Sequence, residues 1–157
     1  MTLKKRTKII LLIGIIGAIA ASGAVLYMFF MPHRDIQSTK TDYKLSADAL
    51  VNEYLQNADA ANDKYLDEGG KSKVIEVTGV IQSITEDFNR QKVILLKSAD
   101  ALAGVRSTFT EETNASALKA QIGETVTIKG VIRAGAAYDE DLGLYENVIL
   151  EKADIIK

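Results

Sequence analysis

Two stretches of the sequence share a pattern that decides the fold: "KVIEVTGVIQSI" at Lys73–Ile84 and "ETVTIKGVI" at Glu124–Ile132. Before Gly79 in the first and Gly130 in the second, apolar residues alternate with polar ones, which is typical of a strand with one buried face. After each glycine, two apolar residues stand side by side. A glycine or bulge at that point bends a strand and changes which side chains face inward. Because long strands that coil around a small closed barrel need such bends, the pattern predicts a barrel.

Three more strands and a short helix complete the predicted barrel, which spans 72–157. The strands are expected at 92–97, at 105–109 and from about Tyr145 to Ile155. The helix is expected at Asn114–Ile122, with an N-cap asparagine and a glycine to stop it. Three strands, a helix and two strands is the order of the OB-fold, a five-stranded Greek-key barrel. The fold class is therefore mainly β with helices (α+β), and the alternative is another small β-rich fold with two unrelated glycines.

A family resemblance points the same way. The segment from about Ala60 to Ile156, with "ANDKYLDEGGKSKVIEVTGVI", "GETVTIKG" and "ENVILEKADI", resembles the tRNA_anti-like family of membrane-anchored or exported bacterial OB-fold proteins. The resemblance implies a likeness to the anticodon-binding barrels of tRNA synthetases, and it implies no activity.

The sequence of residues 1–31 predicts a membrane anchor. Residues 9–31 form an uncharged apolar run of 23 residues, and a helix of that length is about 34 Å long, enough to cross a bilayer core of about 30 Å. The basic segment 1–8 precedes this run, so the positive-inside rule predicts a cytoplasmic N-terminus and a periplasmic or extracellular C-terminal part. A signal peptide cleaved after "AIA" at Ala18–Ala20 or "SGA" at Ser22–Ala24 is the alternative.

Between the anchor and the barrel, the sequence predicts a polar linker at 32–45 and an amphipathic helix at 46–66. Ser46 is a suitable N-cap, and apolar residues recur along one helical face from Ala47 to Tyr65. The helix is expected to pack on its own domain, and packing on a partner is the alternative.

Few residues suggest catalysis or metal binding. The chain has no cysteine, and its one histidine, His33, follows the apolar run directly. The acidic run Asp139–Asp141 lacks the fuller oxygen-ligand pattern of a calcium loop, and a solvated turn is the preferred interpretation. We therefore expect no enzyme activity, no catalytic residue, no cofactor and no metal.

A ligand is expected at the outer face of the second and third strands and the bordering loops, where OB-folds usually bind. The candidate residues are Lys92, Arg106, Ser107, Tyr138 and Tyr145. From Pro32 onward the chain has 15 Lys and Arg against 21 Asp and Glu, a net charge near −6. Because affinity for polyphosphates comes largely from cations, this charge disfavours nucleic acid.

The sequence therefore predicts a membrane-anchored binding module whose ligand is an envelope protein or a small molecule. A module for single-stranded nucleic acid or another polyanion is the first alternative, and an enzyme is the second. Gly14, Ala18 and Ser22 recur every fourth residue in the apolar run, a small-residue stripe that could bring two helices together as a homodimer.

Overall fold

The structure, a computed structural model, describes residues 3–29 and 35–156 of the chain. The chain divides into two units, Met1–Arg34 and Asp35–Lys157. The first unit contains one helix, α1, at Leu3–Phe29. Among the described residues, no helix combines the length and apolarity required of a membrane span. His33 and the end of the apolar run at residues 30–31 lie outside the described residues.

The second unit is built on a closed five-stranded barrel. The strands of the barrel are β2 Val74–Glu86, β3 Lys92–Leu96, β4 Val105–Phe109, β5 Thr125–Ala134 and β8 Val148–Ile156. They follow one another as β2, β3, β4, β8 and β5 around the barrel, and β5 pairs with β2 to close it. The pairs are antiparallel except β4–β8, which is parallel. This is the strand order of an OB-fold, so the predicted barrel is confirmed.

Three elements precede the barrel, and three short ones lie within the chain that forms it. The first three are β1 Tyr43–Ser46, α2 Ala47–Gln56 and α3 Ala58–Tyr65. The others are α4 Asn114–Ala117 between β4 and β5, and the hairpin strands β6 Ala137–Asp139 and β7 Leu144–Glu146 between β5 and β8. The predicted helix at 46–66 is thus two helices, because Asn57 is extended and its side chain caps α3 by accepting from the N–H of Ala60.

The two glycines that pointed to a barrel both lie next to an irregularity in strand pairing. Gly79 pairs with Val126 of β5, and two residues later β2 turns to β3. Gly130 lies at a bulge in the pairing of β5 with β8. A Cβ at Gly79 would lie 3.0 Å from the Cβ of Ala47, and one at Gly130 would lie 3.1 Å from the carbonyl oxygen of Glu151. Both positions therefore lie near an irregularity in strand pairing, and a Cβ at either one would make an unusually close contact.

The segment predicted as a linker packs against the barrel from Asp35 onward. Ile36 is buried with Val74 and Val131. The ammonium of the buried Lys129 donates to the carbonyl oxygens of Gln37 at 2.8 Å and Thr39 at 2.7 Å. These contacts compensate for burying a charged group, so residues 35–42 are part of the folded unit and not a free tether.

The segment continues as β1, which pairs in parallel with β2. The same part of β2 pairs with β5 on its other side, so β1 covers the edge that β3 leaves open. Lys44 of β1 forms an ion pair with Glu76 of β2 at 2.8 Å. Hydrogen bonds from Lys44 and Thr41 hold the pKa of the Glu76 carboxyl below its usual range.

Helix α2 packs on its own barrel, as the sequence predicts. Ser46 is its N-cap, accepting from the N–H of Ala49, as the sequence predicts. Leu50, Val51 and Tyr54 are buried in the main core together with residues from all five barrel strands. The helix therefore covers part of the barrel, and its start lies over Gly79.

Candidate functional site

The outer face of β3 and β4 is the expected binding face, and the structure separates the three residues predicted there. Arg106 is exposed, and its neighbours in register are Leu95 of β3 and Ile149 of β8. Lys92 is the first residue of β3, and by strand alternation its side chain lies on the same face as the buried Ile94 and not on the face of Leu95. Its ammonium forms an ion pair with Glu86 at 2.8 Å.

Ser107 points into the barrel. Its side chain is completely buried, and its hydroxyl oxygen has no hydrogen-bond partner among the described residues. Successive side chains of a strand point to opposite faces, so Arg106 and Ser107 cannot both face a ligand on the surface. Phe109 has the same inward direction and is buried. In the described part of β3 and β4, the outward-facing side chains include no aromatic ring.

Tyr138 and Tyr145, the two other predicted residues, lie directly opposite each other on the hairpin of β6 and β7. Their ring centroids are 4.9 Å apart with a tilt of 53°. Tyr138 is 53% exposed, whereas Tyr145 is half-buried and packs against the core. The hairpin therefore presents one tyrosine ring to solvent and supports it with the other.

The acidic run forms the turn of this hairpin. The carboxylate of Asp139 accepts hydrogen bonds from the N–H groups of Asp141 and Leu142, both at 2.9 Å. Gly143 adopts a positive φ of 66°, which a glycine tolerates well, and its N–H donates to the carbonyl oxygen of Asp139. Asp139 is thus used to shape the turn. Across residues 3–29 and 35–156, no three acidic or histidine side chains form a cluster suited to a metal ion.

Between the hairpin and helix α2 lies an apolar cavity of about 470 Å³, which we call the tyrosine groove. It is lined by the tyrosine pair, by residues of α2 and α3, and by the loops around them: Tyr54, Leu55, Ala58, Leu102, Ala136, Ala137, Tyr138 and Tyr145. None of these side chains is charged. Leu102 and Tyr138 are both more than half exposed, so the apolar surface continues out to solvent.

The wall of the tyrosine groove depends on a contact between Tyr54 and Gly135. A Cβ at Gly135 would overlap the Tyr54 ring, so only glycine leaves space for that ring. Tyr54 is 2% exposed, and its hydroxyl has no hydrogen-bond partner in the part of the chain that the structure describes. Burial raises the pKa of Tyr54 to about 12. The hydroxyl is therefore protonated at neutral pH. Because it is buried without a described hydrogen-bond partner, it lowers the stability of the fold.

A second cavity, of about 420 Å³, adjoins the tyrosine groove, and we call it the acidic cavity. It shares Leu55 and Leu102 with the groove and is otherwise lined by Asp48, Val51, Asn52, Ser98, Asp100 and Ala101. The Ser98 hydroxyl donates to the Asp48 carboxylate at 2.6 Å. Sequence reasoning did not select these residues, because the loop Lys97–Gly104 has no periodicity and only the fold brings it next to α2.

A different feature lies on the turn between β2 and β3. Phe88 is fully exposed there, and Arg90 adopts a positive φ of 63°. Asn114 holds this turn by accepting from the N–H of Lys92 at 2.7 Å and donating to the carbonyl oxygen of Arg90 at 3.1 Å. The Asn114 side chain is thus engaged with the backbone of the turn, and Thr113, not Asn114, is the N-cap residue of α4.

The closed five-stranded barrel and its strand order define the protein as an OB-fold protein. The chain belongs to the tRNA_anti-like family, whose model matches residues 1–141. The family resemblance of the strand patterns and glycines is therefore confirmed. No match was found among the curated proteins.

Many solved structures are similar to this chain, and two of them are of particular interest. One is a crystal structure of a "putative nucleic acid-binding lipoprotein" from Klebsiella pneumoniae subsp. pneumoniae MGH 78578, at 17% identity and a TM-score of 0.53. The match covers 81% of this chain and all of that one, and at this identity it shows a shared fold only. The other is OBody NL8 bound to hen egg-white lysozyme, at 17% identity over 54% of this chain and 96% of that one. Its TM-score of 0.38 is too low to support a conclusion.

Proposed function

We propose that the protein is a membrane-anchored, extracytoplasmic binding module without enzymatic activity, and that it holds a protein or small-molecule ligand in the tyrosine groove. The observation that carries this proposal is the exposed Tyr138 ring, backed by Tyr145, beside an uncharged apolar cavity. Tyrosine is enriched at the centres of protein interfaces because its ring buries a large area and its hydroxyl can still bond. Exposed apolar surface that continues into a cavity is typical of a binding site.

The anchoring part of the proposal rests on helix α1. This helix has 27 residues, and its described side chains, among them Ile10, Ile13 and Ile16, are exposed. Apolar side chains exposed around a helix are stable in a hydrocarbon environment and unfavourable in water. Part of the apolar run, including Leu11, Leu12 and residues 28–31, has side chains outside the described set. The basic residues before the run favour a cytoplasmic N-terminus.

A topology experiment tests the anchor. A reporter that is active only outside the cytoplasm, fused after Lys157, should be active, and a cytoplasmic reporter at the same place should be silent. The opposite pattern would overturn the proposed orientation. The mass of the purified protein separates an intact anchor from a product cleaved after Ala20 or Ala24. Dimerisation through Gly14, Ala18 and Ser22 stays a prediction, which crosslinking of the full chain in membranes can test.

A capture experiment tests the groove. The full chain, crosslinked in its own envelope and purified, should retain a partner that the Tyr138→Ala variant loses by roughly tenfold or more, on the scale of an interface hot spot. Phe88→Ala is the matched control, since it removes another exposed aromatic ring from a different hairpin. Equal retention by the Tyr138 variant and the wild type would rule out the groove as the binding site.

The second candidate is a module for single-stranded nucleic acid. It is favoured by the exposed Phe88 ring, which could stack on a base, and by the exposed Arg106 on the usual OB binding face. The acidic net charge opposes it at long range. Retention of the full chain on single-stranded DNA that falls steeply with salt, and that Phe88→Ala and Arg106→Ala abolish, would put this candidate ahead.

A further inference from the structure

We infer that the ligand of the tyrosine groove is a peptide segment of a partner protein that places a Lys or Arg side chain next to apolar ones. The inference rests on the proposed function and names the chemistry of the partner. Its basis is the joining of the tyrosine groove to the acidic cavity through Leu55 and Leu102. One continuous surface thus has an apolar half and a half that carries carboxylates.

The charges along this surface have one dominant sign. Asp48 and Asp100 line the acidic cavity, and no Lys or Arg lines either cavity. Asp100 is exposed and forms no ion pair with any residue that the structure describes. The ammonium of the nearby Lys97 is directed to the carbonyl oxygen of Leu102, at 3.4 Å. Asp141, in the hairpin turn that follows Tyr138 in the chain, is also exposed.

This distribution of apolar side chains and carboxylates favours one class of ligand over the others. A polyanion would meet carboxylates, and a wholly apolar ligand would leave Asp100 without a partner. A polyamine would pair with the carboxylates and leave the tyrosine groove empty. A peptide with a cation beside apolar side chains satisfies both halves, because its apolar groups cover the tyrosine ring and its cation meets the carboxylates. The two adjoining cavities, of about 470 and 420 Å³, give room for both kinds of side chain next to each other.

The test uses the full chain in nanodiscs and a displayed library of random 12-residue peptides. Peptides are selected on the wild type after subtraction on the Tyr138→Ala variant, and the enriched ones are synthesised and measured by fluorescence anisotropy. We expect enrichment of Lys or Arg together with Leu, Ile, Phe or Tyr. Tyr138→Ala should weaken binding roughly tenfold, and Asp100→Asn should weaken it roughly two- to fivefold, the scale of an exposed ion pair. Asp63→Asn is the matched control, because Asp63 is exposed and lies on α3 outside both cavities.

The outcomes separate this inference from the proposed function. If Tyr138→Ala lowers affinity and Asp100→Asn has no more effect than Asp63→Asn, the groove binds but the cationic peptide is wrong. Enrichment of acidic peptides, or no enrichment over the Tyr138→Ala protein, also overturns the inference, while capture from the envelope still decides the proposed function. If neither the peptides nor the envelope partner depends on Tyr138, both fail. Thermal melts of all variants show that each is folded.

Discussion

Two surfaces of the same barrel differ in what they offer a ligand. The outer face of β3 and β4, the usual OB binding face, presents the exposed Arg106 and no outward aromatic ring. The surface beside α2 presents a tyrosine pair and two adjoining cavities. The second surface exists because Tyr54 of α2 lies against Gly135, next to the β6–β7 hairpin. In this protein the candidate site is therefore built by the elements added to the barrel and not by the barrel strands.

The largest effect on stability is expected from removing the space that Gly135 leaves for the Tyr54 ring. Gly135→Ala places a Cβ inside the Tyr54 ring, so we expect it to lower the free energy of unfolding by about 3 kcal/mol, the upper part of the usual range for overpacking. Urea denaturation measures the change. In a Tyr54→Ala background the overlap is gone, and Gly135→Ala should then cost less than about 1 kcal/mol. If Gly135→Ala lowers the free energy of unfolding equally in the wild-type and Tyr54→Ala backgrounds, the contact with the Tyr54 ring does not cause the destabilisation.

The two strand glycines differ in what they contact: Gly79 lies against α2, whereas Gly130 lies against β8. Gly79→Val and Gly130→Val should each destabilise the protein by about 1–3 kcal/mol, since a Cβ alone would lie 3.0 Å and 3.1 Å from a neighbouring atom and valine adds two methyl groups to it. Only Gly79 contacts α2, through Ala47, so only Gly79→Val should also weaken binding at the tyrosine groove. Melting temperatures and the capture experiment measure the two effects. Because valine has the higher strand propensity, unchanged or raised melting temperatures in both variants would contradict the steric argument.

Removing the Tyr54 hydroxyl should have a smaller effect on stability, and it should raise stability instead of lowering it. Tyr54→Phe keeps the ring against Gly135 and removes a buried hydroxyl without a described partner, so stability at pH 7 should rise by about 1 kcal/mol. The folded pKa of Tyr54 is raised from 10 to about 12, so the unfolded chain loses this proton first. The wild type should therefore lose stability as the pH rises from 10 towards 12, and the difference from Tyr54→Phe should grow in that window. A loss of stability at pH 7 would show that the hydroxyl is hydrogen-bonded.

Most of the barrel could be predicted because strand alternation is a local signal. The strand predicted at 105–109 is found there, and the predicted Lys73–Ile84 strand is found at Val74–Glu86. The short β6–β7 hairpin was missed, since three-residue strands show too little alternation. The predicted helix at Asn114–Ile122 ends at Ala117, because Leu118 and Ile122 are exposed and no core surface holds them.

The candidate site was only partly predictable, for reasons of geometry. Strand parity alone would have separated Arg106 from Ser107, so that information was present in the sequence. The opposition of Tyr138 and Tyr145 follows from a hairpin centred on the acidic turn. The approach of α2 to Gly135 and to the loop around Asp100 is a long-range contact, and no local pattern reports it. The contacts of residues 35–42 were hidden for the same reason, because a polar segment without periodicity gives no sign of the barrel it covers.

The smallest expected effect concerns the face that lacks a site. Lys92→Ala combined with Arg106→Ala should change stability by less than about 1 kcal/mol, because the Lys92–Glu86 pair is partly exposed and such pairs contribute little. Arg106 has no ion-pair partner among the described residues to lose. The double variant should also retain the envelope partner as the wild type does, since neither side chain lines the tyrosine groove or the acidic cavity. A loss of binding in this variant, with salt-sensitive retention on single-stranded DNA in the wild type, would reverse the comparison. The outer face of β3 and β4 would then be the ligand-binding surface, and the tyrosine groove would have only a structural origin in the packing of α2.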